Sequence, residues 1–169
     1  FLIDFQSAAA ICIVHLSRLA EEFVIWSSDE FGFVRLAEEL TTGSSMMPQK
    51  RNPDFAELAR GKTGRVLGNL VAILTVFKGL PLTYNRDLQE DKAGFFDTSD
   101  LLLSTLDIFT SAISTLQIDE VRMREAAEKG TGLATDVADY LVAKGMPFRE
   151  AHGLVSRIVA HANDAQKSL

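Results

Sequence analysis

Three long apolar segments constrain the fold of this chain more than any other feature. Each carries apolar side chains at the three- and four-residue intervals of an α-helix. The segments are residues 2–26, 54–78 and 92–116. The first two are apolar around most of their circumference, which is typical of helices buried on several sides, in a bundle or between subunits. We therefore predict an all-α fold whose long helices form a central antiparallel bundle.

Three glycines of the second segment add a packing prediction. Gly61, Gly64 and Gly68 are spaced by three and four residues, so they fall on one face of the helix. Each weakens a helix by roughly 1 kcal/mol relative to alanine. We expect this face to be approached closely by another helix.

The sequence changes character after Ile118, where shorter segments with polar faces follow. We predict a bundle domain over residues 1–118 and a small C-terminal helical domain over residues 119–169. The chain starts with Phe1 and stops within a helical pattern at Leu169. We therefore expect a piece of a longer protein that lacks the N-terminal part and breaks off inside the small domain.

Composition excludes several classes of function. The net charge of -6 argues against a general binder of nucleic acid or of anionic membranes. The single cysteine, Cys12, excludes a disulfide within the chain and favours a reducing, cytoplasmic compartment. The most apolar run, residues 8–14, is too short to cross a membrane. No metal-ligand cluster or cofactor motif is present in the sequence, so we predict no cofactor and no metal.

A polar loop, Thr41–Pro53, lies between the first two helical segments and is the best candidate for a functional site. Gly43 permits backbone angles that other residues avoid. Asn52 is a good helix N-cap and Pro53 suits a first helical turn, so we expect the loop to end at a helix N-terminus. Free N–H groups at such an end favour anions. The loop is thus predicted to bind a carboxylate and to abstract a proton.

Serine is a weak base unless its alkoxide is stabilised by amides, a cation or a helix N-terminus. The loop offers all three, with Lys50 as the cation. No Ser-His-Asp order and no nucleophile-elbow pattern surrounds Ser44. The residues alone leave proton abstraction, acyl transfer and a purely structural capping loop open.

The loop also carries a family resemblance. Gly43–Pro53 matches the signature G-S-S-x-M-P-x-K-x-N-P of the fumarase/aspartase superfamily. Gln49, together with Tyr84–Lys92, resembles the argininosuccinate lyase and delta-crystallin branch, since fumarases usually have glycine at the first position and lack the second segment. Ala134–Asp136 and Lys144–Arg149 resemble that branch too. The resemblance covers essentially the whole chain.

This resemblance implies a β-elimination in arginine biosynthesis that splits argininosuccinate into arginine and fumarate. Ser44 would be the general base, and Lys50 would stabilise the aci-carboxylate intermediate. Glu57 matches the carboxylate that pairs with a catalytic histidine, whose motif is not in this chain. The implied substrate-binding residues are Ser45, Asn52, Tyr84, Gln89 and Lys92.

The resemblance further implies a homotetramer in which three subunits build each active site around a central helical bundle. The chain alone is expected to be inactive because it lacks the catalytic histidine. Two alternatives remain open. One is a non-catalytic structural or oligomerisation protein of the delta-crystallin type. The other is a superfamily lyase acting on adenylosuccinate, aspartate or fumarate and malate.

Overall fold

The computed structural model of the chain describes residues 1–129, 131–165 and 167. Backbone contacts divide it into two compact units, Phe1–Ile118 and Asp119–Leu169. Each unit is helical. The first contains the three long helices and the polar loop, and the second contains shorter helices.

The three long helices of the first unit are confirmed at their predicted positions. They are α1 (Leu2–Trp26), α2 (Asp54–Phe77) and α3 (Asp91–Thr115). α2 ends where Gly79 takes a left-handed conformation with φ of 71°, which Gly adopts without the steric cost that a side chain would add. Pro81 then prevents the helix from continuing.

Aromatic packing fixes the directions of these helices. Phe23 near the end of α1, Phe55 at the start of α2 and Phe109 near the end of α3 share one buried cluster. Their ring centroids lie between 5.6 and 6.1 Å apart. α2 is therefore antiparallel to both α1 and α3. A second buried cluster, which includes Ile13 and Val66, continues the core along the helices.

Two short antiparallel strand pairs close the first unit. β1 (Val34–Arg35) pairs with β4 (Gln117–Ile118), and β2 (Thr42–Gly43) pairs with β3 (Arg51–Asn52). Short 3-10 turns occupy Glu38–Leu40 and Arg86–Glu90.

The second unit contains α4 (Glu120–Glu128), α5 (Ala134–Ala143) and α6 (Phe148–Asp164). Asp119 caps α4, because its Oδ1 accepts a hydrogen bond from the Arg122 backbone N–H at 2.9 Å. Gly145 ends α5 with a φ of 96°, and Pro147 precedes the first turn of α6.

The long helices keep large apolar side chains exposed. Ile11 of α1, Val71 of α2 and Leu103 of α3 are 62%, 61% and 62% exposed. The close approach expected at the α2 glycines is wrong within this chain, since a Cβ added at Gly61, Gly64 or Gly68 would meet no atom within 4 Å. That face of α2 is covered by neither α1 nor α3. In the described part of the chain, no helix is long and apolar enough to span a membrane.

Candidate active site

The polar loop is a β-hairpin whose two ends are joined by backbone pairing. Thr42 is opposite Asn52, and Gly43 is opposite Arg51. Residues 44–50 form the turn between the strands. An ion pair between Arg51 and Glu38, 3.1 Å long, ties the hairpin to the preceding 3-10 turn. Both partners are largely exposed, so the backbone ladder contributes more to holding the hairpin than this pair does.

Ser44 stands at the first position of that turn and receives two backbone donors. Its Oγ accepts hydrogen bonds from the N–H groups of Met46 and Met47, each at 3.2 Å. The turn closes with a hydrogen bond from the Lys50 N–H to the Met47 carbonyl at 3.0 Å. Such a serine turn is a common local structure, and two N–H donors also stabilise negative charge on the oxygen they face. The geometry is thus compatible with an alkoxide at Ser44.

The predicted helix cap is wrong by one position. Asn52 lies in β3 rather than at the N-cap, because its backbone is used in the ladder opposite Thr42. Pro53 takes the cap position instead, and α2 starts at Asp54. The Pro53 carbonyl accepts hydrogen bonds from the N–H groups of Ala56 and Glu57 at 3.0 and 3.1 Å. The hairpin still leads directly into a helix N-terminus, as the sequence predicted.

The other predicted residues of this region are accessible. Ser45 and Lys50 lie on the exposed turn, and Glu57 is exposed in the first turn of α2. Among the described residues, no side chain forms an ion pair with Lys50. Glu57 is favoured where it stands, because a helix N-terminus stabilises negative charge. Ser44 and Lys50 thus lie in one turn, and Glu57 follows in the first turn of the adjoining helix.

The second predicted group of residues lies beyond the other end of α2. There the Gln89 Nε2 donates a hydrogen bond to the Tyr84 hydroxyl. Lys92, at the start of α3, donates through its Nζ to the Asp91 Oδ1 at 2.7 Å. The 3-10 turn Arg86–Glu90 packs against both α2 and α3. Tyr84 and Gln89 are thus in direct contact, and Lys92 follows three residues after Gln89 at the start of α3.

The structure does not bring the two groups together within one chain. α2 has 24 residues and separates the hairpin from the Tyr84 segment. At 1.5 Å per residue, this helix is about 36 Å long. An amino-acid-sized substrate cannot span that distance, so Ser44 and Lys92 of the same chain cannot contact one substrate molecule.

A polar network joins α2 to α3 near the second group. The Asn69 Nδ2 donates to the Asp97 Oδ2 at 2.8 Å and to the Thr98 Oγ1 at 3.1 Å. The Arg65 Nε also donates to the Asp97 Oδ2 at 2.8 Å. The Asn69 hydrogen bond, and after it the Arg65 guanidinium, hold the pKa of Asp97 below its ordinary value, against the opposing effect of burial.

Sequence reasoning missed three contributors to this arrangement. The Met46 and Met47 N–H groups could not be identified, because the residue types of a seven-residue turn do not determine its backbone geometry. Glu38, the ion-pair partner of Arg51, lies too far away in the sequence to be paired by inspection. The Asp91–Lys92 pair could have been predicted, since an acid directly before a predicted carboxylate-binding lysine can form a local ion pair with it.

Comparisons with known proteins identify the family of the chain. A general lyase family model matches residues 1–68, and an argininosuccinate lyase C-terminal model matches residues 132–169. The argininosuccinate lyase of Lactococcus lactis subsp. cremoris strain MG1363 is 55% identical over 159 residues, which is 94% of this chain and 35% of that protein. The chain belongs to the argininosuccinate lyase family.

Further members of the argininosuccinate lyase family give the same result. The protein of Dehalococcoides mccartyi strain CBDB1 is 59% identical over 162 residues, covering 96% of this chain and 35% of that protein. The chain thus spans about a third of the length of the curated relatives it matches. A crystal structure of class II fumarase from Schistosoma mansoni superposes with a TM-score of 0.84 at 22% identity, over 99% of this chain and 34% of that one, which shows a shared fold.

Proposed function

We propose that this chain supplies two parts of an argininosuccinate lyase active site, in a cytoplasmic enzyme of arginine biosynthesis. The reaction is a β-elimination that converts argininosuccinate into arginine and fumarate. No metal or organic cofactor takes part in the proposed chemistry. The proposal is supported by family membership and by the geometry around Ser44.

Ser44 begins the reaction as general base. Its alkoxide takes a proton from the substrate carbon beside a carboxylate, and the electron pair of the broken C–H bond moves into that carboxylate. Lys50 stabilises the resulting aci-carboxylate with its positive charge. The electrons then return to form the C=C bond of fumarate as the C–N bond breaks. The leaving nitrogen of arginine takes a proton from an acid outside this chain. Glu57 pairs with the catalytic histidine, which either is this acid or orients it.

The single observation that carries this proposal is the pair of N–H donors on the Ser44 oxygen. A free serine alkoxide is far too basic to form at neutral pH without stabilisation. The Met46 and Met47 N–H groups, both at 3.2 Å, provide fixed partial positive charge that does not reorganise during the reaction. Lys50 in the same turn and the helix N-terminus after Pro53 add to it. Ser45 and Asn52 hold the neighbouring substrate carboxylate.

The second group of residues binds the substrate in a different copy of the site. Tyr84, Gln89 and Lys92 lie beyond the far end of α2, which is about 36 Å long, whereas the hairpin precedes its start. We infer that a homotetramer brings the hairpin of one subunit to the Tyr84 segment of another. The exposed apolar side chains of the three long helices, and the uncovered glycine face of α2, supply the surface for that assembly.

The test replaces Ser44 by alanine in the protein expressed from its complete gene. Fumarate formation from argininosuccinate is followed by ultraviolet absorbance, and circular dichroism and sedimentation check folding and assembly. Since a positioned general base contributes about 10²–10⁴-fold, turnover should fall by that factor with the assembly intact. Turnover within a factor of about two of the parent protein would contradict the assignment of Ser44 as base.

The exposed apolar helix faces also favour a second candidate, a structural protein of the delta-crystallin type that assembles without catalysis. The same assay separates the two functions, because a structural protein forms no fumarate from argininosuccinate. Adenylosuccinate offered in parallel distinguishes argininosuccinate lyase from another lyase of the superfamily. Faster turnover of adenylosuccinate would overturn the proposed substrate.

A further inference from the structure

An acidic residue outside the predicted site holds one of its cations in place. Asp91 accepts the hydrogen bond of the Lys92 ammonium at 2.7 Å. The Asp91 side chain is 15% exposed, whereas that of Lys92 is 58% exposed. The carboxylate is therefore largely withdrawn from solvent, and the ammonium that it holds is presented outward.

The backbone around Asp91 is well fixed. Asp91 is the first residue of α3, where the helix N-terminus stabilises its negative charge. The preceding 3-10 turn, Arg86–Glu90, packs against α2 and α3. A lysine side chain has four rotatable carbons and loses much conformational freedom when it binds a ligand. An anchored carboxylate beside it restricts the ammonium before the ligand arrives, which lowers that cost.

The ion pair does not use up the binding capacity of Lys92. An ammonium has three N–H donors, and the structure shows one hydrogen bond from it, to Asp91. Two donors remain for a carboxylate. Gln89 is arranged in a similar way, because its amide already donates to the Tyr84 hydroxyl.

We propose that Asp91 is a positioning residue that fixes the Lys92 ammonium for a substrate carboxylate. This inference rests on the proposed function, in which Lys92 binds the substrate. Asp91 itself touches no substrate and acts through Lys92. A role limited to the start of α3 predicts a different outcome, since an acid at a helix N-terminus affects folding and not substrate affinity.

The experiment compares Asp91→Asn, Lys92→Met and the double variant, in the protein expressed from its complete gene. Asparagine keeps the shape of the side chain and remains favourable at a helix start. Asp91→Asn should raise the KM for argininosuccinate about tenfold and leave kcat within about twofold, as expected for a contact made equally in the ground and transition states. Lys92→Met should raise KM further. The double variant should match Lys92→Met alone, because Asp91 has nothing left to position.

The inference is overturned if Asp91→Asn leaves KM unchanged, or lowers it by leaving a more strongly positive site. It is also overturned if the effects of the two substitutions multiply in the double variant, which indicates independent roles. If Lys92→Met raises KM and Asp91→Asn does not, the positioning role alone fails. If Lys92→Met leaves KM unchanged, the assignment of Lys92 in the proposed function fails with it. Asp100→Asn, an exposed acid later in α3, is the matched control and should leave KM unchanged.

Discussion

The two ends of the three-helix unit are held by different kinds of interaction. The end that carries the Ser44 hairpin is closed by three phenylalanines and by backbone pairing. The end that carries the Tyr84 segment has an aromatic contact between helices, Phe5 with Phe95 at 4.8 Å, and adds side-chain hydrogen bonds, among them those of Asn69 to Asp97 and Thr98. We infer that the base and its stabilising amides are placed by main chain over a rigid apolar core, whereas the substrate-binding group is placed by side chains that respond to charge.

The apolar end should be the more costly one to disturb. Phe55 is buried between Phe23 and Phe109, three residues after the last residue of the hairpin. Phe55→Ala removes a full aromatic side chain, so it should lower the free energy of unfolding by about 3–5 kcal/mol. Chemical denaturation measures this change, and hydrogen exchange should show faster opening of the hairpin. Phe148→Ala, at an exposed phenylalanine of the second unit, is the control and should cost far less.

The polar end contains a buried amide that lacks hydrogen-bond partners within the ranges that the structure describes. Gln6 of α1 is fully buried, and its amide oxygen and nitrogen have no hydrogen-bond partner among the described residues. Burying an amide without partners is unfavourable. Gln6→Leu should therefore raise the free energy of unfolding by about 1–3 kcal/mol. A loss of stability would mean that the amide has a partner in the assembled protein. The same exchange at the exposed Gln117 should have little effect.

The two ends should also differ in their response to acid. The pKa of Asp97 is lowered in the folded chain, so its contribution to stability is complete above its unfolded value of about 3.9. That contribution is lost as the pH falls further, through the folded pKa. Below about pH 4, the protection of backbone amides against hydrogen exchange, relative to the unfolded chain at the same pH, should therefore be lost first where α2 meets α3 around Asn69. It should be lost later at the phenylalanine cluster.

An Asp97→Asn variant tests the cause of this acid response. This variant should not show the early loss of amide protection where α2 meets α3, because asparagine does not titrate. Asp107→Asn, at an exposed acid of the same helix, should still show that early loss. Simultaneous opening of both ends in the parent chain would remove the contrast between an apolar end and a polar end.

The helices could be predicted from the sequence because apolar spacing over some twenty-five residues is a long signal. Gly79 and Gly145 end helices because glycine adopts a positive φ without steric cost, and Asp119 begins one through its hydrogen bond to a free N–H. The four short strands could not be predicted, since two-residue pairs depend on contacts between distant parts of the chain. For the same reason Asn52 was assigned to a cap and lies in a strand.

For the candidate site, the sequence offered residue types and no geometry. Ser44 and Lys50 were named from the polar loop and its resemblance, but the two amides that face the serine oxygen needed the backbone of the turn. The separation of the two residue groups follows from the length of α2, which the sequence already implied. Bringing the two residue groups into one site requires other copies of the chain, and the positions of those copies cannot be inferred from a single sequence.

The most direct test of this account mixes two variants that are each defective. Ser44→Ala and Lys92→Met are expressed separately from the complete gene, mixed in equal amounts, dissociated, reassembled and assayed at an argininosuccinate concentration far below the raised KM of Lys92→Met. If a site takes Ser44 from one subunit and Lys92 from another, about a quarter of the sites in random mixed assemblies are intact and fumarate formation returns to that level. Mixing Ser44→Ala with Lys50→Ala, whose changes lie in one hairpin, should restore nothing. Failure of the first mixture to regain activity, in assemblies shown to be mixed, would contradict the shared site.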